Sequence, residues 1–89
     1  MRIVWTDTAW REYVEWQRSD HAIASKINDL IESIRRDPAG KGSGKPERLK
    51  GRLSGWLSRR ITQEHRLVYR IAGKDDEQAI EIIQCKRHY

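Results

Sequence analysis

Four residues of this 89-residue chain carry groups that together suit acid–base chemistry on a phosphodiester: Glu47, Arg66, His88 and Tyr89. RNA can be cut by its own 2′-hydroxyl. That reaction needs a base to take the 2′ proton and an acid to protonate the departing 5′-oxygen. It also needs positive charge on the phosphorane-like transition state between them. A Glu suits the base and a His the acid. An Arg suits the charge clamp, because it holds phosphate oxygens bidentately and stays charged. Tyr89 adds an aromatic face for stacking on a base, and a phenol.

Each of these residues also has an ordinary reading. Glu47 lies inside a basic stretch, where neighbouring cations keep a carboxylate ionised, but it is also readable as a surface carboxylate paired with Lys50 or Arg48. Chain ends are commonly loose, so His88 is readable as incidental. Against that stands the apolar run 80–85, which predicts a buried last strand holding His88 and Tyr89 at a sheet edge. Arg66 alone is a routine exposed Arg. His21, in the first turn of a helix, and His65, at a strand start beside Arg66, read as structural or peripheral. Three dispersed histidines and one cysteine show no metal-ligand spacing.

The charge is unevenly placed. The net charge is +5. Residues 1–40 hold six Lys/Arg against seven Asp/Glu, and residues 71–89 hold three against four. Residues 41–70 hold nine against two, a local net of +7. A basic excess confined to the middle third suits a polyanion such as a phosphate backbone. At 89 residues the chain reads as one domain, 1–89. It starts at Met1 without an apolar segment long enough for a signal peptide or membrane span, and Cys85 has no internal partner. These features predict a cytoplasmic protein.

Periodicity supplies the elements that must hold the chemistry. Residues 2–5 read as a strand. Thr6 or Asp7 can cap a helix running to about Arg18, with Ala9, Tyr13 and Trp16 on one face and Trp10 and Val14 alongside. Ser19 and Asp20 cap a second helix, whose Ile23, Ile27, Leu30, Ile31 and Ile34 follow helical spacing until Asp37-Pro38 ends it. The segment 40–46 reads as a flexible basic linker. It is not a P-loop, since Pro46 stands where a helix should begin. Strands follow at 56–61, 66–71 and 79–86, the last two joined by a turn at 73–77. Leu67, Tyr69 and Ile71 should face one way, and Arg66, Val68 and Arg70 the other. Ile80 and Ile82 share parity with His88 unless the alternation breaks near the end. The expected fold is α+β: an N-terminal strand and a two-helix hairpin packed on a mainly antiparallel, twisted sheet.

The stretch Gly42-Ser43-Gly44-Lys45-Pro46-Glu47-Arg48-Leu49-Lys50, then Leu53-Ser54-Gly55-Trp56 through Tyr69, resembles the YoeB (Txe/YoeB) toxin family. The start, Trp5 to Trp10 with Tyr13 and Trp16-Gln17, and the ending Cys85-Lys86-Arg87-His88-Tyr89 are similar too. The resemblance spans nearly the whole chain. It implies a RelE-like, microbial-ribonuclease-like fold and the toxin half of a type II toxin–antitoxin pair. Such toxins cleave mRNA in the ribosomal A site without a cofactor and so inhibit translation. By that resemblance Glu47 is the general base, Arg66 the phosphate-steadying Arg, His88 the general acid and Tyr89 its terminal neighbour. Lys50 and Arg60 match basic positions that contact phosphate or ribosomal RNA. The implied partners are a YefM-like antitoxin, the 70S ribosome with mRNA, a second copy of the chain as a homodimer, and operator DNA when antitoxin is bound. No membrane is implied. Two departures stand out. Arg87 occupies a position where the family often has Tyr or Gly, which bears on how an mRNA base is stacked, and the 73–77 turn is longer than usual.

Overall fold

The computed structural model describes residues 1–38 and 40–87; Ala39, His88 and Tyr89, and with them the expected acid and its neighbour, lie outside the described residues. The chain opens with β1 (Arg2–Trp5), followed by α1 (Asp7–Ser19) and α2 (His21–Arg36). Then come β2 (Glu47–Arg48), β3 (Leu57–Arg60), β4 (Arg66–Ala72) and β5 (Ala79–Gln84). Short 3-10 turns at Gly51–Leu53 and Asp75–Glu77 join β2 to β3 and β4 to β5. The sheet order is β1-β5-β4-β3-β2. β1 runs parallel to β5, and the other pairings are antiparallel. This is the α+β arrangement read from the periodicity.

The helix boundaries follow from caps. The Thr6 hydroxyl accepts the Ala9 N–H at 3.1 Å, satisfying an amide that the first turn leaves free. Asp20 closes α1 and opens α2 at once. Its N–H donates to the Trp16 carbonyl, and its carboxylate accepts the N–H groups of Ala22 and Ile23. One residue therefore makes the sharp corner between the two helices.

One face of the sheet takes both helices. Ile27, Leu30, Ile31 and Ile34 of α2 and Ala9 of α1 pack with Leu57, Leu67, Tyr69, Ile80, Ile82 and Cys85. Full burial of one such aliphatic side chain is worth about 1.5–3 kcal/mol, so this layer dominates stability. Trp5 stacks on Tyr13 at 4.6 Å, and the Tyr13 hydroxyl donates to Asn28, which ties β1, α1 and α2 together. Trp10 sits at the rim of this cluster and is half exposed.

Two features depart from simple alternation. Val68 is fully buried although it points away from the helices, as does Ser58 opposite it, so the second face of the sheet is also partly covered. Val68 pairs with Gln84 and Tyr69 with Ile82, leaving Ile83 as an extra residue in β5. Such a bulge reverses the parity that follows it. Gln84 is thereby turned onto the face of Val68, and Cys85 returns to the core. The alternation does break near the end of the chain, at Ile83.

The 40–46 segment is not the flexible linker expected from its glycines. Arg59, fully buried, donates through Nε to the Tyr69 hydroxyl at 2.9 Å, and through its terminal nitrogens to Ser33 Oγ (2.9 Å), the Asp37 carbonyl (3.0 Å) and the Ser43 carbonyl (3.2 Å). The Ser43 N–H donates to Ser33 Oγ, and the Gly44 carbonyl accepts from the Arg60 N–H. A Cβ at Gly42 would stand 2.5 Å from Ser33 Oγ, and one at Gly44 2.8 Å from Leu30 Cδ2. The glycines let this backbone lie directly on the guanidinium.

Candidate active site

The loop pinned by Arg59 delivers the chain to β2, a two-residue edge strand whose first residue is Glu47. Glu47 is exposed and sits opposite Ser58 of β3. Ser58 in turn faces Val68 of β4, and Val68 faces Gln84 of β5. Glu47, Ser58, Val68 and Gln84 thus form one row across four strands, on the face away from the helices. Glu47 and β4 are two strands apart, about 10 Å at ordinary strand spacing.

The neighbouring row on the same face holds two arginines. Arg60 and Arg66 are direct cross-strand partners. Like charges placed opposite each other repel, and here the cost is doubled. The Nε of each is buried without a hydrogen-bond partner among the described residues. An unmet buried donor costs about 1–3 kcal/mol. An anion lying between the two guanidiniums would remove both penalties. Arg70, two residues along β4, differs. It donates to Glu81 at 2.6 Å and stacks on Trp56 at 4.5 Å. Its charge is already matched. Lys50 is exposed on the turn leaving β2, beside the Leu49–Trp56 backbone bond that prolongs the β2–β3 ladder.

The segment leading to His88 is held peptide by peptide. The Cys85 N–H donates to Glu12 Oε1, and the Cys85 carbonyl accepts from Trp16 Nε1, both at 2.9 Å. Lys86 pairs with Glu15 and lies over the Trp16 ring. The Arg87 N–H donates to His65 Nδ1 at 2.8 Å, and the Arg87 carbonyl accepts from the Arg66 N–H at 3.1 Å. The Gln84 amide donates to the Lys86 and Arg87 carbonyls. Cys85 itself is a packing residue. Burial, reinforced by the Glu12 charge, pushes its thiol from 9.0 up to about 12, so it is no nucleophile.

The structure thus brings Glu47, Arg60 and Arg66 onto one sheet face and sets Lys50 on the turn at its edge. His88 and Tyr89 lie outside the described residues. Among the described residues no three His, Cys, Asp or Glu side chains gather as a metal-binding group. Sequence reasoning missed Arg59 and Gln84, and read His65 as structural or peripheral. The bulge that turns Gln84 round has no local signature. Arg59 resembled its basic neighbours until its burial was known. His65 carried one usable signal, its adjacency to Arg66.

The sequence pattern described as the YoeB-like toxin of bacterial type II toxin–antitoxin systems matches residues 5–89. The chain belongs to the YoeB-like toxin family. Toxin YoeB of Escherichia coli (strain K12) is 48% identical over 89 residues, covering all of both chains. The YoeB/ParE toxin from Agrobacterium tumefaciens superposes with a TM-score of 0.96 at 53% identity, again over the full length of both. The YoeB chain in a heterotetrameric YoeB–YefM toxin–antitoxin complex from Staphylococcus aureus gives 0.88 at 45% identity, covering 100% of this chain and 98% of that one. Among the described residues of this YoeB-like chain, no helix is long and apolar enough to cross a membrane.

Proposed function

We propose that this toxin is a ribosome-dependent endoribonuclease that cuts mRNA in the A site without a metal ion, acting in the cytoplasm. A single domain, 1–89, would carry the whole activity. The observation that carries the reading is the Arg60–Arg66 pair, each with a buried Nε unmet among the described residues, on the sheet face that also bears Glu47. That face calls for an anion and sets a carboxylate near it. Glu47 takes the 2′-hydroxyl proton. The 2′-oxygen attacks phosphorus, and the bond from phosphorus to the 5′-oxygen breaks. His88 gives the leaving oxygen a proton. The products are a 2′,3′-cyclic phosphate and a 5′-hydroxyl. Arg66 steadies the phosphorane charge, Tyr89 stacks on the base, and Lys50 and Arg60 contact phosphate.

The solved Staphylococcus aureus relatives include a YoeB dimer and YoeB–YefM complexes. By analogy, a YefM-like antitoxin neutralises this chain, which also forms a homodimer, and the complex binds operator DNA. A flexible acidic segment is a suitable cover for a cationic RNA-docking face.

Primer extension on ribosomes holding a defined A-site codon tests the reading. Wild-type protein should create new mRNA ends within that codon, and Glu47→Gln should create none. Intact mRNA on stalled ribosomes would make the protein an A-site blocker. Cuts in naked mRNA at the same rate would remove the ribosome from the account.

A further inference from the structure

Arg87 adopts a left-handed backbone, φ +66°. That region costs a non-glycine residue roughly 1–2 kcal/mol. It persists only where the surroundings over-determine it. Here three bonds converge on one residue: its N–H on His65 Nδ1, and its carbonyl under the Arg66 N–H and the Gln84 amide. The imidazole supplies the bond to the N–H, the shortest of the three at 2.8 Å.

His65 is itself held through its backbone and its ring. Its carbonyl accepts from the Ile61 and Thr62 N–H groups, closing the β3–β4 turn, and its N–H donates to Thr62 Oγ1. Its ring stands edge-on to Trp16 at 4.8 Å and 69°. Trp16 also holds the Cys85 carbonyl, so ring and tail share one support. In this bond Nδ1 is the acceptor.

From this geometry we infer that His65 is a positioning residue for the reaction: by accepting the Arg87 N–H it sets the backbone of the residue that precedes His88 and Tyr89 in the chain. The inference rests on the proposed cleavage, and deepens it. His65 touches no reacting atom. It fixes Arg87, the residue next to the proposed acid in the chain. Arg66, next in the chain after His65, donates its N–H to the Arg87 carbonyl, so the clamp-bearing strand and the tail are registered by one residue pair.

Two substitutions separate this role from plain packing. His65→Asn keeps an acceptor at the Nδ1 position and gives up the ring. His65→Phe keeps the edge contact with Trp16 and gives up the acceptor. Full-length variants would be compared in single-turnover cleavage on programmed ribosomes, in ribosome binding, and in hydrogen exchange of the Arg87 amide. His65→Asn should cut within a few-fold of wild type. His65→Phe should cut about 10- to 100-fold slower with ribosome affinity unchanged, the effect of a misplaced group rather than a lost contact. Its Arg87 amide should exchange faster by a similar factor. A His65→Phe protein that cuts like wild type, or a His65→Asn protein as slow as His65→Phe, overturns the inference. Exchange reads the pin without catalysis. A wild-type protein that fails to cut therefore counts against the reaction, while a protected Arg87 amide in His65→Phe counts against the pin.

Discussion

Arg66 and Arg70 share a strand and a face, yet among the described residues Arg70 has an ion pair and Arg66 an unmet Nε. Its bond to Glu81 lies half in water and contributes about 0–1 kcal/mol. Arg66 keeps an Nε that is buried and unmet among the described residues, a cost to the fold that an arriving anion would relieve. Arg66→Met should therefore leave folding stability in urea equal to wild type or higher by up to about 1 kcal/mol, while slowing cleavage by roughly 10²–10³-fold. A loss of more than about 1 kcal/mol in the urea midpoint analysis would mean that Arg66 is part of the scaffold instead. Cys85 makes a prediction of the opposite kind. Its folded-state pKa, about 12, lies above the ordinary 9.0. Below 9 the thiol is protonated in both states and its contribution is complete. As pH rises from 9 towards 12 the unfolded chain loses the proton first, and stability drains away. Thermal melts should show a steeper alkaline decline in wild type than in Cys85→Ala. Parallel curves would show that burial does not hold the proton.

Among the elements, the loop before β2 matters most to the site. Arg59 is buried against four neutral acceptors. Removing it leaves those groups unmet and frees the segment that presents Glu47. Arg59→Met should lower unfolding free energy by about 2–4 kcal/mol, measured by denaturant titration. An unchanged midpoint would show that the loop is held by its glycines and backbone bonds alone. This loop also marks the limit of what the sequence reveals. The helices were readable because Thr6 and Asp20 cap them and Ile27, Leu30, Ile31 and Ile34 keep a strict period. Arg2–Trp5 and the three later strands β3 to β5 were readable from apolar alternation between turn residues; the two-residue β2 and the parallel β1–β5 pairing were not. The face bearing Glu47, Arg60 and Arg66 could be inferred by alternation and resemblance. The ordered state of 40–46 could not, because Gly and Lys are also what a mobile linker contains, and the restraint comes from a distant guanidinium. Nor could the bulge at Ile83, beyond which Glu12 and Trp16 of α1 hold the Cys85 N–H and carbonyl.

At the scale of the whole molecule, one sheet face is spent on the helical core and the other carries the cationic middle of the chain. The residues 41–70 that hold the net +7 include β2, β3 and most of β4. Docking on ribosomal RNA should therefore release counterions. Lys50→Ala and Arg60→Ala should each weaken ribosome binding and reduce the slope of log affinity against log salt by about 1. Equal slopes in wild type and both variants would place the docking surface elsewhere. The central claim, that the 2′-hydroxyl of the mRNA is the nucleophile and the side chains only move protons and hold charge, is tested most directly by the ends it leaves. Fragments from programmed ribosomes can be offered to a polynucleotide kinase without prior phosphatase treatment, and the upstream fragment tested for a terminal phosphate. The account predicts a downstream fragment that labels at once through its 5′-hydroxyl and an upstream fragment ending in a 2′,3′-cyclic phosphate or 3′-phosphate. A downstream 5′-phosphate with an upstream 3′-hydroxyl would mean that water attacked phosphorus, and would contradict it.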